Sequence, residues 1–407
     1  MGQMKKMFKL KMLGLLFSGI LFSSNTVTYA SEVFYTEENT AKIETTTKIT
    51  QEVYARVALD FANGILPDKN LSVTAMTPIL NSENEILSYD CKLSENDVDY
   101  GYVIVDMSLD GDYISEFNLE KNVPDFYEQM IQNVDERTNE NVNKDDIPES
   151  EQVLIETLPN EYSVVVEDTA LTSSGKVMDA DELEMYQEEV FDVIGESITT
   201  ASQYGHTGDV MQNYPSDYSF QANHMLPYFI SMTQGQSESA AGKYACAVTA
   251  MTIVADRYGL GQSWVPSNLK TTYNNLWSKS STKETSRTVK NGKTIIYGGT
   301  PVNKIGPALV SLGKDKKVNL KYKDASNPSF TTIRNAISNK HDVIFSYFIS
   351  STKGHSVSVQ GTWTGKKNNK NHDFIILADG WGMSARYINY TTKSNTVINK
   401  SMTEIWK

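Results

Sequence analysis

Cysteine is nearly absent, with two in 407 residues. That excludes a disulfide-built scaffold and a four-cysteine structural zinc site. Histidine is scarce at five, and no HExxH or paired-histidine spacing points to a catalytic metal. No Gly-x-Ser-x sequence carries the final glycine of a serine-hydrolase elbow, and Gly361 and Gly365-Lys366 stand too close together for a phosphate-binding loop. Beyond residue 30 no apolar run is long enough to cross a bilayer. Basic residues are in deficit, 37 against 50 acids for a net charge of −13, which argues against nucleic acid as the main partner. Apolar content is an ordinary 40%, so sizeable cores form and wholesale disorder is excluded. At about 150 residues per domain the length predicts two or three domains.

The first 30 residues read as a targeting signal. Lys5, Lys6, Lys9 and Lys11 come with no acid, an apolar run follows from Met12 to Phe22, and the segment ends Thr28-Tyr29-Ala30. A basic start, a short apolar run and small residues before Ser31 predict secretion with cleavage after Ala30, and no membrane association afterwards. The run is shorter than a spanning helix needs.

Charge divides the remainder. Residues 31–200 hold 39 acids and 9 bases, whereas 201–407 hold 11 acids and 24 bases. Two readings stand side by side: complementary halves that dock, or an acidic and a basic module without contact. In the acidic half, 50–64 has helical spacing, and 71–76, 85–93, 101–107 and 112–119 have strand character. Helices are expected over 125–134 and 179–194, and the charged stretch 135–151 reads as a linker. The composition turns to Tyr, Ser, Gly and Asn over 196–223, where the main boundary is placed. The Lys-rich stretches 279–293 and 314–323 read as solvated faces, and Trp264, Trp277, Trp363 and Trp406 as packing groups.

The second half carries the chemistry. Residues 242–259 read as a loop opening into a helix, with Val248, Met251, Thr252 and Ala255 on one face and Gly259 as the stop. Cys246 then falls in the first turn, where the positive end of the helix lowers a thiol's pKa; the plain alternative is a small core cysteine. Gly354–Gly361 alternates as a strand bearing His355, and a Lys/Asn turn leads to a second strand, 373–378, ending at Asp379-Gly380-Trp381-Gly382. A histidine beside a carboxylate, near a low-pKa thiol, is what nucleophilic catalysis needs. Taken singly, His355 also reads as a half-buried strand residue and Asp379 as a turn residue.

This order of a Cys-initiated helix, a later Gly-His strand, Asp-Gly-Trp-Gly and a Tyr-rich strand resembles papain-fold cysteine peptidases. It is similar to secreted bacterial members of the streptopain type and to those related to bacteriocin-leader peptidases, over roughly 205–407. Gly101–Asp106 and Tyr113–Phe117 are similar to streptopain-like propeptides. The resemblance implies an α+β fold in which a Cys helix packs on an antiparallel sheet carrying His and Asp. It also implies a catalytic domain over 201–407 and an acidic α/β pro-region over 31–200. Cys246 would be nucleophile, His355 base and acid, Asp379 the orienting group and Trp381 the shield of their contact.

One departure is plain. The family's oxyanion-hole glutamine stands about six residues before the cysteine, and position 240 is alanine. Gln236 is the candidate replacement, with Gln234 further upstream and the Cys246 amide as one donor. The expected activity is hydrolysis of protein or peptide bonds without cofactor or metal, with the pro-region as an intramolecular inhibitor removed near 196–223. Cys91 would leave with it. The alternatives are a cell-wall peptide or amide hydrolase using the same triad, and a weakly catalytic binding module.

Overall fold

The computed structural model describes residues 51–407 except 82–85, 107–112, 139–141, 143, 149–150, 159–160, 167–168, 174–176, 181, 184–218, 291, 349–353, 368, 381, 383 and 391–398. The targeting segment, Trp381, nearly all of the helix expected over 179–194 and most of the 196–223 boundary lie outside the described residues.

Apolar spacing in the first segment produces α1 (Gln51–Ile65), which buries Val53, Tyr54, Val57, Ala58, Phe61 and Ala62 along one face. It lies against a meander of β1 (Ser72–Leu80), β2 (Ile86–Glu95), β3 (Val98–Asp106) and β4 (Ile114–Asn118). Asn96 and Asp97 turn β2 into β3 with φ of 52° and 61°, the left-handed pair that a two-residue hairpin requires. At Gly101, with φ +72°, a Cβ would stand 2.1 Å from the Asn118 carbonyl oxygen, so β4 closes on β3 only over a glycine.

The other face of this sheet is covered by α2 (Phe126–Thr138), capped by Asp125, whose carboxylate accepts from the Glu128 amide at 2.7 Å. This helix runs into the stretch read as a linker, because Ile131 and Val134 still face Ile104, Tyr102 and Tyr162. Four short strands follow: β5 (Leu154–Leu158), β6 (Glu161–Val166), β7 (Thr169–Thr172) and β8 (Val177–Asp179), with β5 parallel to β1.

The basic half begins with β9 (Ser219–Met225), α3 (Gln234–Ala241), β10 (Lys243–Tyr244) and α4 (Cys246–Arg257). Next come α5 (Pro266–Lys279), the hairpin of β11 (Lys283–Lys290) and β12 (Lys293–Gly299), α6 (Ile305–Asp315), β13 (Lys321–Ser326) and α7 (Phe330–Ser338). The chain then forms β14 (Asp342–Phe348), β15 (Gly354–Lys367), β16 (Lys370–Ala378), β17 (Arg386–Asn389) and β18 (Asn399–Trp406). Expectation placed one face of the Cys246 helix in the core. Every residue from Ala247 to Asp256 is buried instead, because α4 packs between β14 and β15 on one side and α5 and α6 on the other. Trp363 is buried as expected, but Trp264 is 72% exposed.

Among the described residues the architecture is mixed α and β, with seven helices and one large sheet ordered β13-β18-β14-β15-β16-β17-β4-β3-β2-β1-β5-β6-β7-β8. The two halves are therefore docked, and by strand pairing: β17 lies antiparallel to β4, with Tyr387 opposite Phe117 and Ile388 opposite Glu116. Phe117 is the hub of the join. Its ring lies 5.0 Å from Phe61, 5.3 Å from Trp363 and 5.1 Å from Phe374, and stacks on Tyr387 at 4.7 Å. Phe117→Ala should lower stability by about 3–5 kcal/mol, read as a shift in the urea midpoint of the full chain.

Candidate active site

The site is set by how α4 begins. Gly242 ends α3 in the left-handed conformation at φ 65°, β10 pairs with β12 for two residues, and Ala245 is extended at φ −152°, ψ 123°. Alanine offers no capping side chain, so the Tyr273 hydroxyl from α5 does the work. It accepts from the Ala245 amide at 2.7 Å and donates to the Ala245 carbonyl at 3.2 Å. The other end of the helix is pinned by Arg257, whose Nε donates to Asp342 Oδ1 at 2.8 Å. Cys246 thus heads a rigid helix at a fixed height over the sheet.

His355, the second residue of β15, stands opposite Tyr347 of β14, and the two rings meet edge to face at 5.7 Å and 74°. The next residue, Ser356, turns its amide to the Cys246 thiol. Asp379 follows the end of β16, and Gly380 after it takes φ +83°. A Cβ at Gly380 would stand 3.0 Å from Thr249 Cγ2 on α4, and its carbonyl accepts from the Gln234 amide at 2.7 Å. The Asp379-Gly380 corner is therefore wedged between α3 and α4. The structure brings Cys246, His355 and Asp379 into one neighbourhood.

Asp379 serves His355 in an unexpected way. Its main chain hydrogen-bonds the imidazole and favours the protonated ring, while its carboxylate oxygen Oδ2 accepts from Arg386 Nη1 at 2.8 Å. Gln236 has a task other than the expected oxyanion donor. It is the third residue of α3, its amide oxygen accepts from the Thr233 amide at 2.9 Å in a capping box, and it is exposed. Gln234, by contrast, is buried beside Gly380 and donates to Glu238 Oε1 at 2.9 Å. Trp381 is outside the described residues.

The electrostatics also depart from expectation. The start of a helix lowers a thiol's pKa, and the Ser356, Ala247 and Cys246 amides act in that direction; yet burial outweighs them and raises the Cys246 pKa, with Glu161 adding to the rise. His355 is pushed down to about 4, first by burial and then by the Arg386 charge. At neutral pH the site holds a neutral thiol and a neutral imidazole. Burial likewise drives Tyr347 well up, with Glu161 the next cause.

Glu161 lies in β6 of the acidic half and is 4% exposed, so that half brings a carboxylate up to the site. Tyr273, Tyr347, Arg386, Glu116 and Glu161 went unassigned in the sequence. The one signal, given by Glu116 and Arg386, was a charge inside a strand, as in Ile114-Ser-Glu-Phe-Asn118 and Arg386-Tyr-Ile-Asn389. Among the described residues no group of three or more His, Cys, Asp or Glu is arranged to hold a metal, and no helix is long and apolar enough to cross a membrane. Comparison with protein-family models and with curated proteins finds no match to this chain.

Two outcomes follow from this geometry. Tyr273→Phe strips partners from the amide and carbonyl of Ala245 and should cost about 1–3 kcal/mol, lowering the melting temperature. The folded chain keeps His355 neutral down to about pH 4, whereas an unfolded chain protonates it near 6.5. Acidification through that window therefore favours unfolding, by on the order of 3 kcal/mol from this residue. Asp342 acts oppositely: burial raises its pKa from 3.8 to about 6, and its contribution is present at low pH and lost as pH rises to 6. In His355→Gln, stability measured by urea titration between pH 4 and 6 should fall with rising pH more steeply than in the parent.

Proposed function

We propose that the chain is a secreted cysteine peptidase with a papain-like catalytic domain over 201–407, made as a zymogen whose acidic segment 31–200 covers the site. The observation that carries this reading is the meeting of Cys246, at the head of a buried helix, with the start of β15 at His355–Ser356, where the Asp379 main chain reaches the His355 ring. In the reaction the Cys246 thiolate attacks a peptide carbonyl, His355 protonates the leaving amine, and water then clears the acyl-enzyme. The Cys246 amide supplies one oxyanion donor.

The covered state is electrostatically quiet. A thiol with raised pKa and an imidazole with lowered pKa do not form a thiolate–imidazolium pair, and one contributor to that condition is Glu161 of the acidic segment. Removing the segment hydrates the site and withdraws Glu161, both of which favour proton transfer from Cys246 to His355, while the accompanying loss of Glu116 from Arg386 acts against it. Latency here is a consequence of burial and charge at the site more than of the net charge of either half.

A second reading, a weakly catalytic binding module, is favoured by the capping-box engagement of Gln236. Secretion of the wild type beside Cys246→Ala, followed on a gel with casein present, separates the two. A peptidase zymogen shortens to about half its length and degrades casein while the variant stays whole and inactive. Processing of both chains alike, with casein cut only by the wild type, assigns maturation to another protease. Absence of casein cleavage, together with failure of an electrophilic thiol probe to label Cys246 in the shortened chain, discards the enzyme.

A further inference from the structure

Arg386 opens β17 at 6% exposure, and its guanidinium is shared by two carboxylates from opposite halves of the chain. Nε and Nη2 donate to Glu116 Oε1 and Oε2 at 2.7 and 2.6 Å. Nη1 donates to Asp379 Oδ2 at 2.8 Å. The Phe126 ring of α2 lies 4.9 Å from the guanidinium carbon, and the Tyr102 hydroxyl donates to Glu116 Oε1 at 2.6 Å. Glu116 is fully buried, and the pairing of Ile388 with Glu116 sets its height on the strand. A forked donor gripping one carboxylate through two bonds has essentially one orientation. The third bond therefore meets Asp379 from a fixed direction.

We propose that Arg386 is the positioning residue of this site: held by Glu116, it anchors the Asp379 carboxylate so that the main chain of Asp379 presents to the His355 ring, and through it the acidic half grips the catalytic corner. Its catalytic meaning rests on the peptidase reading; its geometry does not. A lysine would supply the charge without the fork, and a glutamine neither.

The charged and titratable groups that act on His355 are Tyr347 from β14, Asp379 beyond β16 and Arg386 from β17, with Cys246 from α4 and Glu161 from β6 acting on Tyr347. Glu116 reaches the ring only through Arg386. Arg386 opposes protonation of the ring, and Glu116 offsets Arg386. Removing either charge should consequently have opposite effects on the imidazole, whereas simple loosening of the corner lets water in and eases protonation in both cases.

The test uses the full chain carrying Cys246→Ala, so that it stays whole whether or not the protein is a peptidase. The His355 ring signal, identified by its loss in His355→Gln, is titrated by NMR. Arg386→Gln should raise the midpoint by about one pH unit or more. Arg386→Lys should leave it near the parent value, and Glu116→Gln should leave it unchanged or lower it. A rise in Glu116→Gln as large as in Arg386→Gln, or no rise in Arg386→Gln, overturns the proposal. Should Arg386→Gln fail to fold, Glu116→Gln decides alone: a rise sinks the idea and its absence supports it. Failure of the casein assay would overturn the peptidase and leave these titrations standing.

Discussion

A buried guanidinium is the constraint around which the join of the two halves is arranged. An uncompensated charge in a dry interior is among the costliest features a fold can carry, and breaking one partner from a buried pair typically costs about 3–5 kcal/mol. Arg386 meets that demand with one carboxylate from each half, Glu116 and Asp379. Those partners fix the surrounding architecture. Glu116 reaches its place only if β4 pairs with β17 in the observed register, and that register puts Phe117 into the aromatic cluster of Phe61, Trp363 and Phe374. A slip of one residue would exchange the two faces of β4 and lose both the ion pair and the ring contacts at once.

The same burial decides the chemistry of the thiol. Three amides around the Cys246 sulfur and the start of α4 favour the thiolate, and still the pKa rises because desolvation is larger. The helix-terminus effect is worth a fraction of a kcal/mol to about 2 kcal/mol even in favourable settings, and at the half-buried Cys246 the loss of water outweighs it. In an open cleft the balance would reverse without any change in the position of Cys246. The covered and uncovered forms of one scaffold can therefore differ in reactivity through solvation alone.

Local features were legible in the sequence where a local rule determines them. The α1 helix, the His355 strand and the Cys246 helix follow from apolar spacing and turn residues. What escaped depends on contacts across the fold. Periodicity gave α4 one apolar face, and it is enclosed on all sides because helices distant in sequence, α5 and α6, close over it. Gln236 was the candidate oxyanion donor although it lies further upstream of Cys246 than the family's glutamine, but Thr233 three residues earlier made it a capping partner. The main chain of Asp379 meets His355, but the Arg386 that its carboxylate bonds lies seven residues on and has no sequence mark beyond a charge in a strand.

The large imbalance of charge between the halves has a correspondingly narrow role. Thirty-nine acids and twenty-four bases suggest broad electrostatic docking, but charges that are exposed are screened within about 8–10 Å. The contacts that matter at the join are one buried bidentate pair and a cluster of rings, which salt weakens little. Charge at long range assists encounter and solubility, whereas retention of the acidic half is a matter of desolvated area and one shared arginine. A segment held in this way does not drift off when ionic strength rises. If that half were removed, β4 would have to be peeled from β17, and Arg386 would lose Glu116 as the site took up water in the same step.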